Sequence, residues 1–163
     1  MVYNTLDVLG AALALDISLK DSAAVLAKVP HVQGRVEVLP TPGKDYTILI
    51  DYAHTPDALE NVCKTLKELC SRRLITVFGC GGDRDRGKRP LTGMPEGRYA
   101  IIPDRARAIA TAIDQARLGD IVLIAGKGHE NYQELSTGRI DFSDAKEVRR
   151  NMFIKEREEF PQA

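Results

Sequence analysis

Residues 46–79, with the sequence YTILIDYAHTPDALENVCKTLKELCSRRLITVFG, decide the fold because they contain a complete strand–helix–strand unit. The short apolar runs at 46–51 and 74–79 predict two buried strands. Between them, Thr55 is a favourable N-cap and Pro56 a favourable first-turn residue, so a helix is predicted to begin there. Two strands joined by one helix predict a parallel βαβ unit. The apolar stripe of the helix is predicted to comprise Leu59, Val62, Cys63, Leu66, Leu69 and Cys70.

The alternation of strands and helices continues towards the carboxyl terminus. Residues 121–125 (IVLIA) predict another buried strand, and residues 99–102 a short one. Asp104 is the predicted N-cap of the helix between them, and Ser143 that of a last helix. The pattern predicts an α/β, Rossmann-like fold, in which helices flank a mostly parallel sheet. The inward faces of these two helices are predicted to include Ile109, Ala112, Ile113 and Ala116, and then Val148 and Phe153.

Two short helices are predicted to precede this α/β domain. The first covers residues 3–15, and Ser18 with Asp21 forms a weak capping box for the second. Because these helices open the chain without a strand, they are predicted to be the end of a preceding domain.

The composition restricts the possible partners. The chain has 163 residues, and 23 lysines and arginines balance 23 aspartates and glutamates, so the net charge is zero. This balance argues against nucleic acid or an anionic membrane as a partner. Three cysteines without a CxxC pair argue against a disulfide framework or a zinc site and favour a reducing, cytoplasmic setting. The apolar amino-terminal segment lacks a basic leader and is too short to span a membrane.

Three loops are predicted to meet at one edge of the sheet, because ligands of such folds bind beyond the carboxyl ends of the strands. They are residues 51–57 (DYAHTPD), 79–90 (GCGGDRDRGKRP) and 126–130 (GKGHE). The loop at 79–90 combines glycines with cationic side chains, among which Arg84 can grip a carboxylate or a phosphate. A solvated charged surface explains the charges alone equally well. The position directly after a buried strand favours an anion site.

The loop at 126–130 also has the composition of a binding loop. Gly126 and Gly128 permit the backbone to approach a ligand closely. Lys127 and His129 can contact a phosphate group, and Glu130 can hold an ammonium group. No HExxH motif or second nearby histidine accompanies His129, so no metal site is predicted.

The loop at 51–57 suits a nucleoside. Asp51 can accept hydrogen bonds from ribose hydroxyls, and Tyr52 or His54 can pack on a purine. The helix start at Thr55 has a purely local explanation as well. Neither a GxxxxGK[ST] phosphate loop nor a GxGxxG motif occurs. If ATP binds here, its main phosphate cradle is therefore expected outside this chain.

Five segments occur in an order that resembles the Mur ligase family, in particular its UDP-N-acetylmuramoyl-tripeptide synthetases. They are VYNTL at 2–6, GRVE at 34–37, DYAHTPDAL at 51–59, FGCGGDRDRGKRP at 78–90 and GKGHENYQ at 126–133. These ligases have three domains. The resemblance assigns 1–33 to the end of the central ATPase domain and 34–163 to the C-terminal domain.

The resemblance implies an ATP-dependent acid–amino-acid ligase of the bacterial cytoplasm. Such an enzyme adds meso-diaminopimelate, or lysine, to UDP-N-acetylmuramoyl-L-alanyl-D-glutamate in peptidoglycan synthesis. ATP and Mg2+ are the implied cofactors, and the magnesium ligands are expected mainly in the central domain. Without the N-terminal and central domains, this chain is expected to be inactive.

The resemblance also implies roles for particular residues. It assigns Arg84 to the carboxylate of the added amino acid, and Gly126 and Glu130 to the distal amino acid centre of diaminopimelate. It implies no catalytic residue and no metal ligand within this chain. The residues implied to lie near the nucleotide are Asn4, Arg35, Asp51 and His54.

This sequence departs from the family pattern at residues 93/94. The family continues after Leu91 through a helix, a strand and a DNPR-type motif that distinguishes diaminopimelate from lysine. Here Gly93 leads directly into Met94, so a βα unit is predicted to be missing. Because that strand is expected to be an inner one, its loss is predicted to split the parallel sheet. The segment GDRDRGKRP favours diaminopimelate as the added residue.

Other functions are compatible with the same residues. The chain can be a module that binds an amino acid or a nucleotide without turnover, or a structural fragment without a ligand. The cationic residues at 84–89 also permit a nucleic-acid binder. That function would require steeply salt-dependent binding and an aromatic platform, for which tyrosine and phenylalanine are scarce.

Overall fold

The computed structural model describes residues 2–30, 32–79, 97–135 and 137–159, and their side chains except at 2, 3 and 154–159. The chain divides into two compact units, Met1–Val32 and Gln33–Ala163. This division lies beside the predicted boundary at 33/34. The assignment of the first unit to a central ATPase domain stays a prediction.

The first unit consists of two helices, α1 (Val2–Ala14) and α2 (Leu19–Leu26). The N–H of Asp21 donates to Oγ of Ser18 over 3.1 Å, which confirms Ser18 as the N-cap of α2. Two helices of this length bury too little apolar area to be stable as an isolated pair. Their exposed apolar side chains are Leu6, Val8, Leu13, Leu19 and Val25.

The second unit contains a four-stranded sheet in the order β1-β2-β4-β3. Its strands are β1 (Glu37–Leu39), β2 (Thr47–Asp51), β3 (Leu74–Val77) and β4 (Ile121–Ala125). The edge strand β1 is antiparallel to β2, whereas β4 is parallel to both β2 and β3. The predicted Rossmann-like α/β class, with a mostly parallel sheet, is therefore confirmed.

Helices cover both faces of the sheet. They are α3 (Pro56–Leu69), α4 (Arg105–Gln115) and α5 (Asp144–Glu159). Since side chains alternate along a strand, Ile48 and Ile50 of β2 face the core under α4 and α5, whereas Leu49 faces α3. Thr55 and Asp104 cap α3 and α4 as predicted. The predicted inward residues of α4 are all buried, namely Ile109, Ala112, Ile113 and Ala116.

Several sequence predictions about elements are wrong. Residues 99–102 form no strand, and Ile101 is exposed. Leu69 and Phe153 are exposed rather than inward. The antiparallel hairpin of β5 (Tyr132–Leu135) and β6 (Gly138–Asp141) was not predicted, since its strands are short and largely polar.

The sheet is also continuous where a split was predicted. Leu74 pairs with Ile121 and Val77 with Ile124, so β3 lies in register beside β4. A missing strand is therefore not required between them. The junction at 93/94 lies outside the described residues. No helix within the described ranges is both long enough and apolar enough to span a bilayer.

A buried carboxylate joins the amino ends of β3 and β4. Asp120, 1% exposed, accepts from the backbone N–H and Nε of Arg73, each at 3.2 Å, and from Nη2 of Arg73 at 2.6 Å. The N–H of Arg117 donates to the same carboxylate over 2.9 Å. The Arg73 guanidinium, as the main cause, holds the pKa of the Asp120 carboxyl below its ordinary value of 3.8.

Asp120→Asn is expected to lower the free energy of unfolding at pH 7 by about 1–3 kcal/mol, since an amide cannot accept all these hydrogen bonds. The pKa of the Asp120 carboxyl is lower in the folded state than its ordinary value. The carboxylate therefore contributes fully to the free energy of unfolding above its ordinary pKa, and this contribution is lost as the pH falls through the folded-state pKa. Urea unfolding between pH 7 and pH 3 measures both effects. The exposed Asp141 provides the control, Asp141→Asn. Equal acid dependence of Asp120→Asn and the unsubstituted chain would contradict the assignment.

Candidate functional site

The carboxyl ends of three strands meet at one edge of the sheet. Asp51 at the end of β2 is paired in register with Ala125 at the end of β4. The N–H of Gly126 donates to the carbonyl of Asp51 over 3.0 Å. A Cβ placed on Gly126 would lie 3.4 Å from the carbonyl oxygen of Gly79, which follows β3. The first residues of the three loops predicted to bind ligands are thus adjacent.

Asp51 shapes this edge through its carboxylate. The side chain is buried, and Oδ1 accepts from the N–H of Ala53 over 2.7 Å. Oδ2 accepts from the N–H of Val36 over 2.8 Å. Val36 has a positive φ of 48°, a conformation that is costly for a β-branched residue. The carboxylate therefore holds the turn at 34–36 against the end of β2.

Glycines allow the turn at 34–36 to contact the loop at 126–130 through backbone atoms. Gly34 has a φ of 70°, and a Cβ there would lie 2.3 Å from the backbone nitrogen of His129. Gly128 has a φ of 54°, and its Cβ would lie 2.9 Å from both the Gly34 oxygen and the Tyr52 Cβ. No other residue fits either position without displacing backbone. The two loops are consequently packed as one surface.

A group of aromatic and cationic side chains lies on this surface. Cζ of Arg35 is 5.0 Å from the ring centroid of Tyr52. The Tyr52 ring contacts the His54 ring edge-on at 4.8 Å and lies 5.9 Å from the His129 ring. Arg35, His54 and His129 are exposed, whereas Tyr52 is half-buried. The flat rings of this group can stack on a base, and the guanidinium of Arg35 can contact an anionic group.

The loop at 126–130 also contains an ion pair. Nζ of Lys127 lies 2.9 Å from Oε2 of Glu130, and the two side chains are only 14% and 25% exposed. Nζ of Lys127 is 5.0 Å from the Tyr132 ring, and Cζ of Arg139 is 3.8 Å from it. A substrate ammonium group that approached Glu130 would therefore share the carboxylate with Lys127. The hairpin that contributes Tyr132 and Arg139 was not predicted from the sequence.

The structure brings together only some of the predicted site residues. Arg35, Asp51 and His54 lie near one another, and Gly126 with Glu130 lies on the adjoining loop. Arg84 lies outside the described residues, and Asn4 is exposed on α1 in the first unit. Within the described ranges, no three histidine, cysteine, aspartate or glutamate side chains are grouped as metal ligands require.

Sequence reasoning missed a second ion pair under this edge, between Arg105 and Asp144. The two residues are 39 positions apart and belong to different helices. Each follows a predicted helix N-cap, but the capping signals do not indicate that the two residues meet. Their proximity is visible only after α4 and α5 pack on the same face of the sheet.

Gly34→Ala is expected to disrupt the contact between the turn at 34–36 and the loop at 126–130. Both Gly34 and Gly43 have a φ near 70°, but nothing lies within 4 Å of a Cβ at Gly43. Gly43→Ala therefore measures the cost of the backbone conformation alone, about 1–2 kcal/mol. Gly34→Ala is expected to lower the free energy of unfolding by more than Gly43→Ala and to increase amide hydrogen exchange at 126–130. Equal effects of the two variants would contradict the contact.

Comparisons with known proteins identify similar sequences and folds. Residues 34–95 match the family described as Mur ligase, glutamate ligase domain. The UDP-N-acetylmuramoyl-L-alanyl-D-glutamate--2,6-diaminopimelate ligase of Geobacillus kaustophilus is 43% identical over 177 positions, covering 88% of this chain and 36% of that relative. The ligase of the same name from Syntrophomonas wolfei is 43% identical over 182 positions, covering 89% and 37%.

A solved structure gives the same result in three dimensions. The structure of a UDP-N-acetylmuramoyl-L-alanyl-D-glutamate--2,6-diaminopimelate ligase matches with a TM-score of 0.67 and 37% identity, covering 91% of this chain and 37% of the other. The chain thus spans little more than a third of the length of these relatives. With both its sequence and its fold matched over about nine-tenths of its length, the chain belongs to the Mur ligase family.

Proposed function

We propose that this chain is the C-terminal, amino-acid- and ATP-contacting part of a ligase that adds meso-diaminopimelate to UDP-N-acetylmuramoyl-L-alanyl-D-glutamate. The observation that carries the proposal is the shared strand edge. A cationic and aromatic surface lies there beside the Lys127–Glu130 ion pair. The 43% identity to ligases named for this reaction supports it.

The nucleotide part of the proposal involves Arg35, Tyr52 and His54. Their rings and guanidinium suit a base and an anionic group, and Asp51 holds the turn that carries Arg35. ATP, when bound, supplies the phosphoryl group that activates the substrate carboxylate. The residues of this chain fit one side of the nucleotide and include no phosphate-loop motif. The phosphate cradle and the ligands of Mg2+ are accordingly proposed to lie mainly in the central domain, and this chain would require both the N-terminal and the central domain for activity.

The amino-acid part of the proposal involves Glu130, Gly126 and Arg84. Glu130 offers a carboxylate to the distal ammonium group of a diamino acid, next to the cationic Lys127. A distal centre with both an ammonium and a carboxylate group complements this pair of opposite charges better than a lone ammonium does. This complementarity favours diaminopimelate over lysine. Arg84 is proposed to bind the other carboxylate of the amino acid.

The length of the alignment supports the proposed loss of a βα unit. The match to the Geobacillus kaustophilus ligase extends over 177 positions, although 88% of this 163-residue chain is only about 143 residues. The relative therefore contains additional residues within the matched region. Without this specificity segment and without the phosphate-loop domain, the chain is proposed to bind ligands without turnover. A cytoplasmic location, where nucleotide substrates are available, belongs to the same proposal.

Calorimetry with the 163-residue chain tests the proposal. Meso-diaminopimelate is expected to bind more tightly than lysine, and ATP is expected to bind as well. Glu130→Gln is expected to weaken binding of meso-diaminopimelate by about tenfold or more, because it removes a charge-assisted hydrogen bond worth about 1.5–3 kcal/mol.

The matched control is Glu134→Gln, since Glu134 also pairs with a cation but is exposed on β5. It is expected to leave the dissociation constant of meso-diaminopimelate unchanged. Equal binding of lysine and meso-diaminopimelate, or equal affinity of the Glu130→Gln and Glu134→Gln variants, would overturn the amino-acid part of the proposal.

A further inference from the structure

A buried ion pair lies directly below the candidate site. Nε and Nη2 of Arg105 donate to the two carboxylate oxygens of Asp144, each over 2.7 Å. The side chain of Arg105 is 10% exposed and that of Asp144 is 0% exposed. Arg105 is the first residue of α4 and Asp144 the first residue of α5. The pair therefore fixes the starts of two helices relative to each other.

The same guanidinium reaches the end of the central strand. Nη2 of Arg105 also donates to the carbonyl of Ala125, the last residue of β4, over 3.0 Å. The next amide in the chain, the N–H of Gly126, donates to the carbonyl of Asp51 over 3.0 Å. The carbonyl of Ala125 and the N–H of Gly126 belong to one planar peptide group. Arg105 thus binds the carbonyl of this peptide group, and β2 accepts from its N–H.

This peptide plane sets the direction in which the loop at 126–130 leaves the sheet. Gly126 has a φ of 112°, so the chain turns away from β4 at that residue. The loop then carries Lys127 and Glu130, whose ion pair is the proposed binding point of the diamino acid. A Cβ on Gly79, where the charged loop after β3 begins, would lie 3.9 Å from Nη1 of Arg105. One guanidinium therefore lies close to the starting points of both loops.

Stability alone does not account for such a pair. Removing two charges from water costs several kcal/mol, and apolar residues of similar volume frequently stabilise a core as well or better. An arginine fork, in contrast, holds three oxygen atoms in fixed directions. The Arg105–Asp144 pair is therefore better suited to orienting the backbone than to stabilising the core.

We infer that Arg105, held by Asp144, is a positioning residue that orients the Ala125–Gly126 peptide and thereby the diamino-acid loop at 126–130. The inference rests on the proposed function only for the identity of the ligand. Arg105 itself contacts backbone and Asp144. Its effect on the site is transmitted through the peptide group.

Arg105→Lys tests this inference in the 163-residue chain. Lysine keeps the positive charge but lacks the fork that binds Asp144 and Ala125 together. Arg73→Lys is the matched control, because Arg73 forms the corresponding ion pair with Asp120 at the opposite end of β4. Both variants are compared at a temperature at which thermal unfolding shows each to be folded. The measurements are amide hydrogen exchange at 126–130 and calorimetry with meso-diaminopimelate.

Arg105→Lys is expected to accelerate exchange at Gly126 and to weaken binding of meso-diaminopimelate, each by about tenfold, whereas Arg73→Lys changes neither. Amide exchange at 126–130 that becomes faster only in Arg105→Lys would support the positioning role. If the unsubstituted chain at the same time binds no diamino acid, the proposed ligand would be overturned. Equal exchange at 126–130 in the two variants would overturn the positioning role, whatever the binding result. If Arg105→Lys does not fold, Asp144→Asn is measured against Asp120→Asn with the same criteria.

Discussion

The position of β4 between β2 and β3 is the constraint on which the rest of the structure depends. Because β4 is parallel to both neighbours, the ends of all three strands lie at one edge of the sheet. Each end of β4 is held by an arginine–aspartate pair, with Asp120 at the amino end and Arg105 at the carboxyl end. The Arg73–Asp120 pair joins β3 to β4. The Arg105–Asp144 pair joins the end of β4 to the starts of α4 and α5. The candidate site lies at the end of β4 that this second pair contacts.

Backbone packing at this edge explains why its loops are rich in glycine. The turn at 34–36 and the loop at 126–130 approach so closely that a Cβ at Gly34 would overlap the backbone of His129. Asp51 adds a buried carboxylate that accepts from the same turn. The surface of Arg35, Tyr52 and His54 and the loop at 126–130 are therefore connected through backbone contacts, although their side chains differ in chemistry. A displacement of one loop would be transmitted to the other through contacts between backbone atoms.

Regular elements were predictable where local signals agreed. Thr55 and Asp104 cap helices because a short polar side chain can satisfy a free N–H, and the apolar spacing of α4 places Ile109 and Ile113 inward. The apolar run at 99–102 had the composition of a strand but pairs with no strand of the described sheet, and Ile101 is exposed. The strands of the β5–β6 hairpin were missed because polar strands lack the apolar alternation that identifies a half-buried sheet.

The sequence by itself determined the family, the α/β class and the three loops at the strand ends, since each depends on residues that are near one another along the chain. Only the tertiary structure decided what those loops contact. The carboxylate of Asp51 is engaged by the backbone N–H of Val36, 15 positions away along the chain. Arg105 meets Asp144 across 39 residues. Contacts of this kind depend on the packing of whole elements, and no local pattern of residues encodes them.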